Sequence, residues 1–221
     1  MFNKIKAKNA FTLAEVLITL VIIGIVAALT IPTAINKYRE QTLKSQFKKA
    51  YSNFYQAVRK TEADDFFGYA RCYYEKRSGG GSYLVSSECD TFLPAFIKHL
   101  SVQKSCNGQA LSKGCIPVYQ SYNTSDGCLG FSENFVKNSN WTYVLSDGQT
   151  ISIYANYTPI FLVDINGYKG PNAYGKDIFA FIVFKNQATS NITVGGGICE
   201  FPVEGGKTTT QMIKYSLAGI E

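Results

Sequence analysis

The sequence predicts an α+β protein: a long N-terminal α-helix, one half membrane-embedded and one half amphipathic, packed on an antiparallel β-rich C-terminal head. Three observations carry that prediction. Phe11 to Ile31 is a run of 21 residues whose only ionisable side chain is Glu15. Beyond Pro32, apolar positions (Ile35, Tyr38, weakly Thr42, Phe47, Ala50, Tyr51, Phe54, Val58) recur at helical spacing. Farther on, "WTYVLS" (141–146), the pair Asp147-Gly148 and "TISIYA" (150–155) read as two strands joined by a tight turn. The chain then divides into a basic leader (1–10), a transmembrane helix (11–31), an amphipathic continuation (32–65) and a cysteine-containing head (66–221).

The leader holds Lys4, Lys6 and Lys8 and no acid. At a rise of about 1.5 Å per residue, the run that follows is long enough for a hydrocarbon core of about 30 Å. The flanking lysines place the N-terminus in the cytoplasm and everything after Ile31 outside it. A cleaved secretory signal has a shorter apolar region and a small-x-small cut after it, and neither is found here. A plain anchor explains the length and the lysines but gives Glu15 no role. A charge at the centre of a bilayer helix costs roughly 2.5–3.5 kcal/mol, and such residues are functional by default. Glu15 lies nearer the edge, where the cost is smaller.

The residues K-N-A-F-T-L-A-E-V-L-I-T-L (8–20) closely resemble the type IV prepilin leader shared by pilins and type II secretion pseudopilins. The resemblance covers roughly residues 4–60 and is specific at 8–32. It implies cleavage by a prepilin peptidase between Ala10 and Phe11, with Phe11 as the new, N-methylated N-terminus. The family usually has Gly before the cut, and this chain has Ala10, which is also small. It further implies that Glu15 of one subunit neutralises the Phe11 amine of a neighbour as subunits stack. Each charge is costly alone in a low-dielectric setting and tolerable when paired. Within one subunit, Glu15 falls in the first helical turn, where the helix dipole favours an anion.

Pro32 lacks an N–H and leaves the Ala28 carbonyl without its helical partner, so a helix break is expected at the membrane boundary. The alternative, which the resemblance implies, is a flexible joint that unwinds when subunits pack. The amphipathic half runs to about Asp64, and its apolar stripe is expected to pack on the head. Lys37, Arg39, Lys44, Lys48, Lys49, Arg59 and Lys60 decorate its other faces and read as solvated surface. With the membrane half, such a helix would measure roughly 75–80 Å.

In the head, "PIFLVD" (159–164) and "IFAFIVF" (178–184) look like buried strands, and "FLPAFIKHL" (92–100) like a short helix carrying the lone His99. Cys72, Cys89, Cys106, Cys115, Cys128 and Cys199 are all disulfide candidates, and six cysteines leave fifteen pairings open. Cys106–Cys115 is the natural local loop in the loop-rich stretch from Cys89 to Cys128. No CxxC spacing exists, and one histidine cannot complete a zinc set, so the cysteines point to an oxidising compartment. "DINGYKGPNAYGKD" (164–177) offers Asp164, Asn166, Asn172 and Asp177 as oxygen ligands, the donor type calcium prefers. The loop is no EF-hand, and the plainer reading is a turn-rich connection whose Asp and Asn bond local backbone. No other cofactor is indicated.

Gly79–Gly81 and Gly195–Gly197 lack the lysine and hydroxyl of a phosphate loop and read as flexible loops. No nucleophile motif, acid–base pair or HExxH occurs, so no enzymatic activity is expected. The net charge of +6 resides mostly in the N-terminal third, with only +1 on residues 66–221. A nucleic-acid binder concentrates charge on its folded part, so no nucleic-acid partner is expected. The sequons at Asn123, Asn140, Asn156 and Asn191 matter only in a eukaryotic secretory pathway. The resemblance implies an inner-membrane subunit of a pilus or a type II secretion pseudopilus, with lipid, the peptidase, other subunits and the assembly machinery as partners. Two other classes stay open: a DNA-uptake or adhesion minor pilin, and a membrane-tethered domain with its own activity.

Overall fold

A computed structural model describes residues 12–64, 71–122, 128–187, 189–197 and 199–217. The chain divides into two compact units, Met1–Thr42 and Leu43–Glu221. The boundary falls inside the amphipathic half of the predicted helix, not at the head's first residue.

Helix α1 spans Leu13–Ala63. In the first unit its described side chains are almost all exposed, including Leu17, Ile22, Ile25 and Leu29. The break expected at Pro32 is corrected, because Pro32 lies inside α1 and the backbone stays helical on both sides. A proline removes one donor and crowds one carbonyl, a local cost of about 3 kcal/mol. Helix nucleation is not repeated after it, so uninterrupted bonding before and after outweighs that cost.

In the second unit, an eight-stranded sheet has the order β2-β1-β7-β6-β5-β4-β3, with β8 also paired to β7. The strands are β1 (Tyr73–Lys76), β2 (Ser82–Val85), β3 (Val102–Asn107), β4 (Trp141–Leu145), β5 (Thr150–Ile153), β6 (Ile160–Asp164), β7 (Ile178–Asn186) and β8 (Ile192–Gly195). Every pairing is antiparallel except β1 with β7, which is parallel. Gly79–Gly81, read as a flexible loop, falls in the turn of the β1–β2 hairpin, where Gly80 and Gly81 adopt positive φ. Among the described residues, helices α2 (Cys89–Lys98) and α3 (Thr209–Leu217) accompany the sheet, with short 3-10 segments at Leu129–Phe131 and Gly167–Lys169 and a π segment at Phe135–Ser139. The stretch from Cys89 to Cys128 is thus less loop-rich than expected, since it contains α2 and β3.

The sheet is a middle layer with a core on each face. Side chains of a strand alternate between faces. Phe161, Val163, Phe179, Phe181 and Val183 join Phe47, Ala50, Phe54, Ala57 and Val58 of α1 and Phe92 and Phe96 of α2. Ile160, Leu162, Ile178, Ala180, Ile182 and Phe184 face the other way, against Ile116, Tyr119, Phe131, Val136 and Tyr174. Both faces of β6 and β7 are covered, which is why these strands read as continuous apolar runs without alternation. The ring of Phe54 lies 4.9 Å from Phe96, 5.0 Å from Phe161 and 5.2 Å from Phe181. The disulfides are Cys72–Cys89, Cys106–Cys115 and Cys128–Cys199. The first lies in the helix-side core and the other two in the opposite core.

Of the basic residues of α1, Lys37, Arg39, Lys49, Arg59 and Lys60 are exposed, as the sequence suggests, and two of the basic residues also reach other parts of the head. Lys49 pairs with Asp147 at 2.9 Å, on the turn between β4 and β5. Lys44 stands 4.1 Å over the ring of Tyr215. His99 caps α2, and its Nε2 lies 2.7 Å from Asp64 Oδ2, just beyond the end of α1.

Candidate functional site

Two places in the chain gather the residues that the sequence singles out. The first is the start of α1. Thr12 precedes the helix, and Glu15 is its third residue. The Thr12 N–H and the Thr12 hydroxyl each donate to Glu15 Oε2 at 2.8 Å. The Glu15 N–H donates back to Thr12 Oγ1 at 3.3 Å. This is a capping box: two backbone donors that the helix itself leaves unpaired are satisfied reciprocally. The carboxylate is thereby held at the positive end of the helix dipole. Sequence reading fixed on the acid and missed Thr12, although T-x-x-E before an apolar run is a recognised signal for this cap.

From Leu13 to Asn36, Glu15 is the only ionisable side chain. The hydroxyls of Thr19 and Thr30 bond back to the Val16 and Val26 carbonyls at 2.9 and 2.8 Å, which hides their polarity within the helix. The segment is long and apolar enough to cross a membrane. Ala10 and Phe11, the expected cleavage site and new N-terminus, lie outside the described residues, as do Lys4, Lys6 and Lys8.

The second place is the loop from Asp164 to Asp177, in the head. Asp164 Oδ1 accepts the N–H groups of Asn166 and Gly167 at 3.1 and 2.7 Å. Asp177 accepts those of Asn172 and Ala173 at 2.7 and 2.8 Å. Both carboxylates are fully buried. These bonds are the local Asx-type turns that the sequence suggests. They leave three buried oxygens, Asp164 Oδ2, Asn166 Oδ1 and Asn172 Oδ1, without a hydrogen-bond donor. Burial first, and then the charge of Asp177, pushes the Asp164 carboxyl up to about 8. Burial also pushes Asp177 up, against the backbone N–H groups that favour its charged form. The buried Tyr119 hydroxyl is raised well above its usual range, by burial and then by the Asp164 charge.

The loop is fastened at both flanks. A Cβ on Gly167 would fall 2.3 Å from the Gly148 carbonyl oxygen, and Gly167 adopts φ +58°, so glycine is required where the loop touches the β4–β5 turn. On the other flank, Gln120 N–H donates to Asn172 O at 2.9 Å, and the Tyr168 hydroxyl donates to Ile116 O at 3.0 Å.

Elsewhere in the head, an open cavity of about 180 Å³ is lined by residues including Asn53, Gln56, Lys60, His99, Ser101 and Asp147. All six cysteines are paired, which leaves no thiol. Among the described residues, no group of three or more His, Cys, Asp or Glu side chains converges.

Comparison with known proteins bears on the first place only. No curated protein and no solved structure matches the chain. One family model does match, the prokaryotic N-terminal methylation motif, over residues 5–31. Those residues include the expected cut, the Thr12–Glu15 cap and the apolar run to Ile31. The chain therefore carries the N-terminal methylation motif that is the signature of type IV pilins and pseudopilins.

Proposed function

We propose that the chain is a structural subunit of a type IV pilus or of a type II secretion pseudopilus. A prepilin peptidase cuts between Ala10 and Phe11, and Phe11 becomes the methylated N-terminus. The subunit waits in the inner membrane with its head outside the cytoplasm. It then joins a filament by packing of the apolar part of α1. The observation that carries this reading is the carboxylate of Glu15, held by Thr12 at the head of an exposed apolar helix within a matching methylation motif. Glu15 is positioned to meet a cationic amine only if one is brought to it. The Phe11 amine of a neighbouring subunit is such a group, and pairing would fix the axial step between helices. The three disulfides support an oxidising compartment for the head.

Intact mass and N-terminal sequencing of the protein from its native membrane, without reduction, test the reading. The expected product starts at N-methylated Phe11. A chain that still starts at Met1, in a cell with active prepilin peptidase, sinks it. Glu15→Leu is expected to remain membrane-inserted and correctly cleaved while failing to enter filaments, scored by shearing and immunoblot.

A further inference from the structure

We propose that the open cavity beside α1 in the head binds a sugar acid of the hexuronate type, a role separate from the packing by which the subunit assembles. Its volume is about 180 Å³, far above the roughly 10–15 Å³ that a single water needs. Three segments distant in sequence meet there. Asn53, Gln56 and Lys60 come from α1, three and four positions apart, and so share one helix face. His99 and Ser101 come from the connection between α2 and β3, and Ser146 and Asp147 from the β4–β5 turn. Ala57, Leu100 and Leu145 supply the apolar part of the wall. Contacts among neighbours hold these pieces in place. His99 Nε2 lies 2.7 Å from Asp64 Oδ2, and Lys49 pairs with Asp147 at 2.9 Å. The Ser146 N–H donates to the Ser101 carbonyl at 2.9 Å. Other polar groups stay open: among the described residues, the side chains of Asn53, Lys60, Ser101 and Ser146 make no hydrogen bond or ion pair.

Amides and hydroxyls both donate and accept, whereas an ammonium only donates. Asp147 is answered by Lys49, and His99 by Asp64, which leaves Lys60 for the anion of a ligand. The complement of this lining is a solute with several hydroxyls and one negative charge. Phosphate is a poorer match, because its sites gather bidentate arginines or a run of backbone N–H groups. Nucleobases stack on aromatic rings, and no Phe, Tyr or Trp is among the described lining residues. A hexuronate presents one carboxylate, several hydroxyls and an aliphatic C–H face. Lys60 takes the carboxylate, Asn53, Ser101, Ser146 and Asp147 take hydroxyls, and the C–H face rests on Ala57, Leu100 and Leu145. Little area is buried in so open a cavity, so affinity is modest and selectivity comes from pairing charge and hydroxyls together. The open mouth also admits a sugar that is one unit of a longer chain.

The test uses the full chain in detergent micelles and saturation-transfer NMR, with D-galacturonate and D-glucuronate as probes. Galactose, glucose and acetate are the controls for hydroxyls alone and charge alone. The expected result is saturable binding of at least one hexuronate, about tenfold tighter than any control, as one added charge-assisted bond implies. Lys60→Gln keeps a polar side chain and removes the charge, and is expected to bring the hexuronate down to the level of the neutral sugar. Asn53→Asp sets a like charge in the cavity and is expected to abolish hexuronate binding while the neutral sugar still binds. Both positions are exposed, so neither substitution is expected to change the melting temperature. Wild-type protein that binds neither hexuronate saturably, or binds acetate equally well, overturns the proposal. So does unchanged hexuronate affinity in Lys60→Gln. Tighter binding of a galacturonate trimer than of the monomer identifies a polysaccharide as the source, and equal binding a free sugar acid; both support the site. Failure here leaves cleavage at Ala10–Phe11 and filament entry untouched, because neither is read by these titrations.

Discussion

Among the described residues, Thr12 is the one whose bonds hold Glu15. The bonds from Thr12 satisfy Oε2 and tie the first turn of α1, so Thr12 acts on the helix start through the carboxylate. Loss of an N-cap hydroxyl costs about 0.5–2 kcal/mol. Thr12→Ala is therefore expected to speed amide hydrogen exchange at Leu13–Glu15 in micelles, with the rest of α1 unaffected. Gly167 makes a comparable point in the head. Gly167→Ala must place a methyl group into the Gly148 carbonyl at an unfavourable φ. A loss of roughly 1–3 kcal/mol is expected by denaturant titration. At this scale the sequence is legible in type and illegible in contact. T-x-x-E and the oxygen-rich loop can both be seen in the letters. Which oxygens end up buried without donors depends on Tyr119, Gln120 and the β4–β5 turn, which are distant in sequence.

Among the elements, α1 contributes most to the head through one stripe. Phe47, Ala50, Phe54, Ala57, Val58 and Thr61 are buried at helical spacing, and Phe54 sits between three other rings. Phe54→Ala is expected to cost about 3–5 kcal/mol, as buried Phe truncations do. The exposed Lys49–Asp147 pair, joining the same helix to a turn, should be worth less than about 1 kcal/mol in a double-mutant cycle. The amphipathic pattern, the β4–β5 hairpin and the apolar runs of β6 and β7 announce their elements, because burial alone dictates them. Strands β1 and β2 do not. Each is four residues long, and β1 owes its existence to a parallel partner more than a hundred positions later. Strand β3 is hidden for another reason: it pairs only with β4 and exposes Gln103, Lys104 and Ser105, so it carries no alternation. The break expected at Pro32 fails because a local penalty was weighed without the cooperative bonding around it.

For the molecule as a whole, the layer plan of helix on β-rich head is readable from sequence, but the second core is not. One side of it is the far face of β6 and β7, but the residues that cover that face, Ile116, Tyr119, Phe131 and Val136 among them, come from short segments without a periodic pattern. Cross-links close loops in the unfolded chain, and longer closures remove more entropy. Cys128–Cys199 spans 71 positions and Cys106–Cys115 spans 9. On that account the long link is worth roughly 4 kcal/mol and the short one roughly 3. Replacing Cys128 and Cys199 by alanine should lower the denaturation midpoint more than replacing Cys106 and Cys115. The packing of Phe54 against Phe181 has a consequence in time. The two residues are 127 positions apart. At 5–20 residues per second, roughly 6–25 s of synthesis separate them. During that interval the aromatic stripe of α1 has emerged and its sheet does not yet exist. A nascent chain therefore spends seconds displaying an uncovered aromatic face, and crowding among nascent chains becomes a hazard that folding speed alone does not remove.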